Sequence, residues 1–231
     1  MKRYGFLSIA LVAAITLGCN ANDSRDANAN KPSGSAVGTA GTNDRNAVSA
    51  GDRDFVRDVS VASMAEIELG RMASERGANA AVKKYGQMMV DDHTKASDKL
   101  KPIASQHNIP LATELDDKHR DLRDKLAKLQ GAEFDREYMD AMVDGHEDLL
   151  DKLGSRVDKA SLEEYRARVT DRVTGEKVKA EVDAKAILPE KSDNAITRSI
   201  NEWAAELYPV VQAHHVAAKA LQDSLKKRMT N

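Results

Sequence analysis

From residue 52 onward, apolar residues recur every three or four positions, the spacing that gathers them on one side of an α-helix. Phe55, Val59, Ala62, Glu66, Leu69 and Ala73 form the first such line, with Gly77 as its stop. A second line runs Val82, Gly86, Met89, His93, Ala96, Leu100, Ile103 and His107; Asn79 offers a cap at its start, and Asn108 and Pro110 end it. A shorter stripe, Leu115, His119, Leu122, Leu126 and Leu129, predicts a helical crossover between Leu111 and Leu129. The next helix starts near Ala132 and carries Met139, Met142, His146, Leu149 and Leu153 on one face. The last spans about Ala195 to Arg228, with Ile196, Ile200, Trp203, Leu207, Val210, His214, Ala217, Leu221 and Leu225 in line. Pro102 and Pro209 fall inside predicted helices, where each removes an amide donor and bends the helix. Four long helices joined by one tight turn and one long crossover predict an all-α, antiparallel four-helix bundle of ferritin-like connectivity.

The pattern changes between about residues 155 and 194. Lys177 to Ile187 alternates polar and apolar, with Val178, Ala180, Val182, Ala184 and Ala186 on one side. A weaker alternation through Tyr165, Ala167 and Val169 precedes Thr174-Gly175. Period two around a turn predicts a small β-hairpin inserted before the last helix. Alanine is a poor strand former, so a helical alternative stands beside it.

Each long helix carries one ionisable residue on its otherwise apolar face: Glu66, His93, His146 and His214. Burying such groups costs several kcal/mol unless they are paired, neutral or bound to a metal. His93 lies 14 residues before His107, His146 14 after Ala132 and His214 14 before Arg228, about 21 Å from a helix end at 1.5 Å per residue. Counted from the first turn, Glu66 and His93 differ in height by only about 4 to 5 Å. One shared site at mid-bundle is therefore expected. Three histidines and a carboxylate suit zinc, iron or copper. Met89 and Met142 precede His93 and His146 by four residues, inside the related stretches YGQMMVDDH and YMDAMVDGH, and their thioethers tilt the choice toward copper. The competing reading is a buried Glu-His network that fixes helix register, with methionine as ordinary core filling.

The residues three before the histidines are Val90, Val143 and Val211, so the Glu-x-x-His of di-iron carboxylate enzymes is missing. Asp91, Asp92 and Asp144 are expected to point away from the inner face into solvent, and His107, His119 and His215 receive no role. Neither a Ser-His-Asp set nor a phosphate-binding glycine loop stands out, and no catalytic residue is assigned. A haem held between His93 and His146 is a weaker alternative, since few aromatic residues are available to line its pocket.

The first fifty residues read differently. Lys2 and Arg3 precede an apolar run from Phe6 to Leu17, ending in Gly18-Cys19. This is the plan of a secretory signal over residues 1–18, too short to span a bilayer. Ile15-Thr16-Leu17-Gly18-Cys19 resembles a bacterial lipobox, which implies lipidation of Cys19, the chain's only cysteine. Asn20 rather than Asp after it resembles an outer-membrane address, with the chain facing the periplasm. Residues 19–51 are rich in Asn, Ala, Ser, Gly and Thr and predict a flexible tether ahead of one domain over 52–231. With 35 Lys+Arg against 37 Asp+Glu, well interspersed, the chain has no basic block for nucleic acid. The expected partners are the membrane, through the lipid, and another envelope protein.

The segments EIELGRMA, MMVDDHTKASDKL, FDREYMDAMVDGHEDLL and YPVVQAHHVAAKAL resemble the bacterial envelope family catalogued as domain of unknown function 4142, over about residues 52 to 225. Its members are often labelled putative outer-membrane proteins. The resemblance implies a ferritin-like fold and draws attention to Glu66, His93, Asp135, Tyr138, His146 and His214. It implies no activity, substrate or metal. Two functional readings follow: a lipid-anchored bundle that binds a transition metal, and a non-enzymatic structural or interaction lipoprotein whose histidines are core polar groups.

Overall fold

The computed structural model describes residues 47–173 and 187–228, all of them helix, turn or loop apart from one isolated bridge. The signal, Cys19 and most of the expected tether lie outside the described residues, as does the alternating stretch from 177 to 186. Among the described residues six helices follow in order: α1 (Ala50–Arg76), α2 (Ala80–Gln106), α3 (Asp117–Ala127), α4 (Gly131–Gly154), α5 (Lys159–Val173) and α6 (Ala195–Lys227). The all-α expectation holds. No helix among the described residues is long and apolar enough to cross a membrane.

Helix ends follow local chemistry. Ser49 caps α1 by accepting from the Asp52 amide at 3.0 Å, so the helix begins two residues earlier than the sequence pattern alone places it. Asn79, Asp116 and Asn194 cap α2, α3 and α6 in the same way, each side chain satisfying an amide that the helix itself leaves open. Leu111 to Asp116 stay outside helix, and the crossover helix is confined to eleven residues. Pro102 and Pro209 both sit inside continuous helices.

The segment after α4 departs from the expected hairpin. Tyr165, Ala167 and Val169 belong to α5, not to a strand. Leu162 and Tyr165 are both buried three residues apart, and Tyr165 meets the Tyr208 ring edge-on at 6.0 Å. The charged positions between them are good helix formers, so helical spacing prevails over the weak alternation. Among the described residues the only pairing of β type is a single bridge from Val157 to Pro189, which brings the two ends of the segment together.

The four long helices pack as two pairs, α1 with α2 and α4 with α6, and the pairs meet along α2 with α6 and α1 with α4. Neighbours run antiparallel: Asp58 reaches Lys152 while Glu66 faces Gly145, and Lys99 reaches Glu206 while Asp92 reaches His214. Two glycines let α1 and α2 touch. A Cβ on Gly70 would lie 2.7 Å from the Gly86 carbonyl oxygen, and one on Gly86 would lie 2.6 Å from that of Gly70. At the turn between these helices, the buried Asp135 carboxylate accepts from the amides of Ala78 and Asn79 at 2.9 and 2.7 Å, tying α4 to it.

The core divides into two apolar halves. One gathers Phe55, Val59, Ala96, Leu100, Leu149, Leu153, Trp203 and Val211; the other gathers Leu69, Val82, Met89, Phe134, Tyr138, Met142 and Ala218. Along every long helix the break falls at the same level, and the residues there are Glu66, His93, His146 and His214.

Candidate metal centre

Three helices, α2, α4 and α6, each deliver one histidine to one point. Ring centroids are 5.9 Å apart for His93 and His146, 5.6 Å for His93 and His214, and 5.5 Å for His146 and His214. All three are buried, and one nitrogen of each lies within 4.8 Å of the others. Such a trio could hold a metal ion. Points within 4.8 Å of one another share a centre no farther than about 2.8 Å from each, against metal–nitrogen bonds of about 2.0–2.1 Å, so ring movements of under about 1 Å close the site.

The surroundings set which nitrogen is offered. His146 Nδ1 lies 2.8 Å from the Met142 carbonyl, a bond in which the N–H donates, so Nε2 keeps its lone pair. His214 Nε2 donates to Asp92 Oδ2 at 3.1 Å, which leaves Nδ1 as the acceptor. Asp92 also meets Lys95 at 2.9 Å, and its carboxyl is held down to about 2 by the His214 hydrogen bond, with Lys95 assisting against partial burial. Tyr85 fixes the same stretch of α6 by donating from its hydroxyl to the His214 carbonyl at 3.2 Å. Outer partners of this kind orient metal-binding histidines.

Burial depresses His93 to about 3, with His214 adding to the effect, and it drives His146 well below its ordinary value. Both rings are neutral at physiological pH, the form that binds metal. Glu66 Oε1 lies 3.7 Å from His146 Nδ1, and burial pushes its carboxyl up to about 8. Near neutral pH the contact therefore joins two uncharged groups rather than an ion pair.

Five atoms around this point have no protein partner: Glu66 Oε2, His93 Nδ1 and Nε2, His146 Nε2 and His214 Nδ1. The Tyr138 hydroxyl is in the same condition, its ionisation disfavoured by burial and by Glu66. Buried polar atoms are nearly always paired, and leaving one unpaired costs about 1–3 kcal/mol.

The four ionisable residues expected at mid-bundle are thus brought to one level. Met142 reaches His146 through its carbonyl, and Met89 and Met142 are both buried in the neighbouring apolar half. A Cβ on Gly70 would lie 3.1 Å from the Met89 Cβ, so Met89 also packs the α1–α2 contact. Asp92 corrects the expectation that it faces solvent: it is partly buried and holds His214. Asp91 and Asp144 are exposed as expected. His119 belongs to the start of α3, its Nδ1 2.6 Å from the capping Asp116.

The titrations predict how metal-free stability varies with pH. Glu66 is raised in the folded chain, so between about 4.5 and 8 the folded state holds more protons and stability falls as pH rises. His93 and His146 are lowered, so their contribution is complete above about 6.5 and is lost as pH falls. Together they place the optimum of the site near pH 6.5, with a decline approaching ~1.4 kcal/mol per pH unit from there toward 8. Denaturant melts of Glu66→Gln should lose the decline above pH 6.5 and keep the loss on the acid side.

A family model described as a domain of unknown function, DUF4142, matches residues 37–174, more than half of the chain. The chain belongs to the DUF4142 family. The match holds Glu66, His93, Asp135, Tyr138 and His146 and stops before α6, so His214 lies beyond the matched residues. No curated protein and no solved structure matches the chain.

Proposed function

We propose that this protein is an exported, lipid-anchored helical bundle that binds one first-row transition-metal ion with His93, His146 and His214, with Glu66 as the adjoining carboxylate. The observation that carries the reading is the set of unpartnered buried atoms. A register-fixing network would spend its hydrogen-bonding groups on one another. Here two histidines use one nitrogen on an outer acceptor, and every inward nitrogen lacks a protein partner. Imidazole donors suit zinc, copper or iron, and three of them leave room for a further ligand; Glu66 stands beside the trio, its Oε1 3.7 Å from His146 Nδ1.

Titrating the purified full-length chain with Zn(II), Cu(II), Cu(I) and Fe(II) tests the reading. One ion per chain should bind and raise the melting temperature, and His146→Ala should abolish the response. Unaltered melting with all four, or a response that survives His146→Ala, would overturn it.

The address rests on the signal-like start and on Cys19. In bacteria, Cys19→Ser should stop incorporation of labelled fatty acid and move the protein from the membrane to the soluble envelope fraction. Membrane retention by an unlabelled Cys19→Ser chain would rule out a lipid anchor at this cysteine.

A further inference from the structure

A groove of about 830 Å³ runs between α1, α3 and α4, and Glu66 lines it. Ala62, Ala65, Leu69, Met142 and Leu149 form apolar parts of its wall. Glu66 is only 7 % exposed, and its Oε2 has no protein partner. The other oxygen, Oε1, is 3.7 Å from His146 Nδ1. One carboxyl thus lines the groove and approaches the Nδ1 edge of His146, a member of the histidine cluster.

The α4 side of the groove is a ladder of carboxylates at helical spacing: Glu137, Asp140, Asp144, Asp148 and Asp151. Lys125 pairs with Glu137 and Lys118 with Asp148, while across the groove Lys152 pairs with Asp58. Excess negative charge therefore rests on Asp140, Asp144 and Asp151. Where the ladder passes Glu66, the residue is Gly145. A Cβ there would stand 3.4 Å from Glu66 Oε1, so any longer side chain would cover the carboxyl.

We propose that this groove is the entry port for a hydrated divalent cation: the carboxylates of α4 draw it in, and Glu66, reached past Gly145, receives it and passes it to His146, His93 and His214. The inference rests on the metal-binding reading above. Each protein ligand replaces one water of the ion's shell, Glu66 gives up its proton to that water as it binds, and the released water carries it out by the groove. Apolar walls beneath a charged rim concentrate the field on the opening, an arrangement that raises cation on-rates roughly 10–10³-fold and weakens with salt.

Stopped-flow uptake of Co(II) by the full-length chain, followed by its visible absorption, tests the port. Gly145→Leu should load at least tenfold more slowly and reach the wild-type endpoint. Asp144→Asn with Asp151→Asn, both exposed and remote from the core, should slow loading and flatten its dependence on ionic strength. If Gly145→Leu does not fold, the paired surface variant decides alone. Wild-type rates and salt dependence in the variants, with normal uptake by the wild type, overturn the port and leave the metal site standing. Failure of the wild type to take up Co(II), Zn(II) or Cu(II) overturns both.

Discussion

His93→Leu is expected to abolish metal binding while leaving the metal-free protein as stable as the wild type or more so. His93 is fully buried between the two apolar halves of the core, and neither ring nitrogen has a protein partner. A leucine of similar volume removes two unpaired polar atoms, each costing about 1–3 kcal/mol, and joins the two halves. The opposite sign is expected of a structural network, in which loss of one member strands the others. With metal, the order reverses. An ion at a hundred times its dissociation constant stabilises the wild type by about 2.7 kcal/mol, or roughly 5–10 °C for a chain of this size, and the variant not at all. Calorimetric melts with and without Zn(II) read both halves of the prediction. A variant that melts lower than wild type without metal would mark His93 as a packing residue.

Gly86→Ala should lower stability by roughly 2 kcal/mol, or about 4–8 °C. Alanine is the better helix former by about 1 kcal/mol, so propensity alone predicts a gain. Packing decides otherwise. The added methyl would meet the Gly70 carbonyl oxygen at 2.6 Å and the Ala73 methyl at 2.8 Å, so α1 and α2 must separate. That separation would spread to the histidine cluster, because α1 carries Glu66 and α2 carries His93. Gly70→Ala carries the same sign, its Cβ meeting Gly86 at 2.7 Å. Gly51→Ala is the control: its Cβ would find only the Ser49 hydroxyl at 3.9 Å, so it should show the propensity gain without the clash. Thermal melts of the three variants separate the terms.

Much of this arrangement was legible in the sequence because an α-helix converts residue number into height. Equal offsets of 14 residues put His93, His146 and His214 at one level, and the structure joins them there. Glu66 was legible for the same reason. Asp92 was not, because a side chain next to His93 leaves its own helix about 100° away, and only the neighbouring helix shows what it meets. It meets His214. The choice of nitrogen on each ring was hidden too, since it depends on the Met142 carbonyl and the Asp92 carboxylate. Met89 and Met142 share the histidines' face, yet spacing alone cannot separate a thioether ligand from core packing. The segment from 159 to 173 misled because a short run of alternating small residues satisfies period two as readily as a helix, and the contact that decides, Tyr165 on Tyr208, lies across the fold.

The charge logic of the centre also explains a feature that looks unfavourable for folding. Two neutral imidazoles, the His214 ring and a protonated carboxyl interrupt the core at its middle, where apolar packing would be more stabilising. Such a layer is retained where the unpaired atoms serve a ligand. Asp92 and the Met142 carbonyl hold the His214 and His146 rings by their outer edges, and Tyr85 holds the His214 backbone carbonyl, so the inward nitrogens are set in place by the protein alone.

The most direct test is a crystal structure of the protein grown with Zn(II), with anomalous data collected on both sides of the zinc edge. One peak should stand about 2.0–2.1 Å from a nitrogen of each of His93, His146 and His214, with Nε2 of His146 and Nδ1 of His214 facing it. Ordered zinc on surface carboxylates alone, with the three rings bridged by water or by one another, would contradict the account.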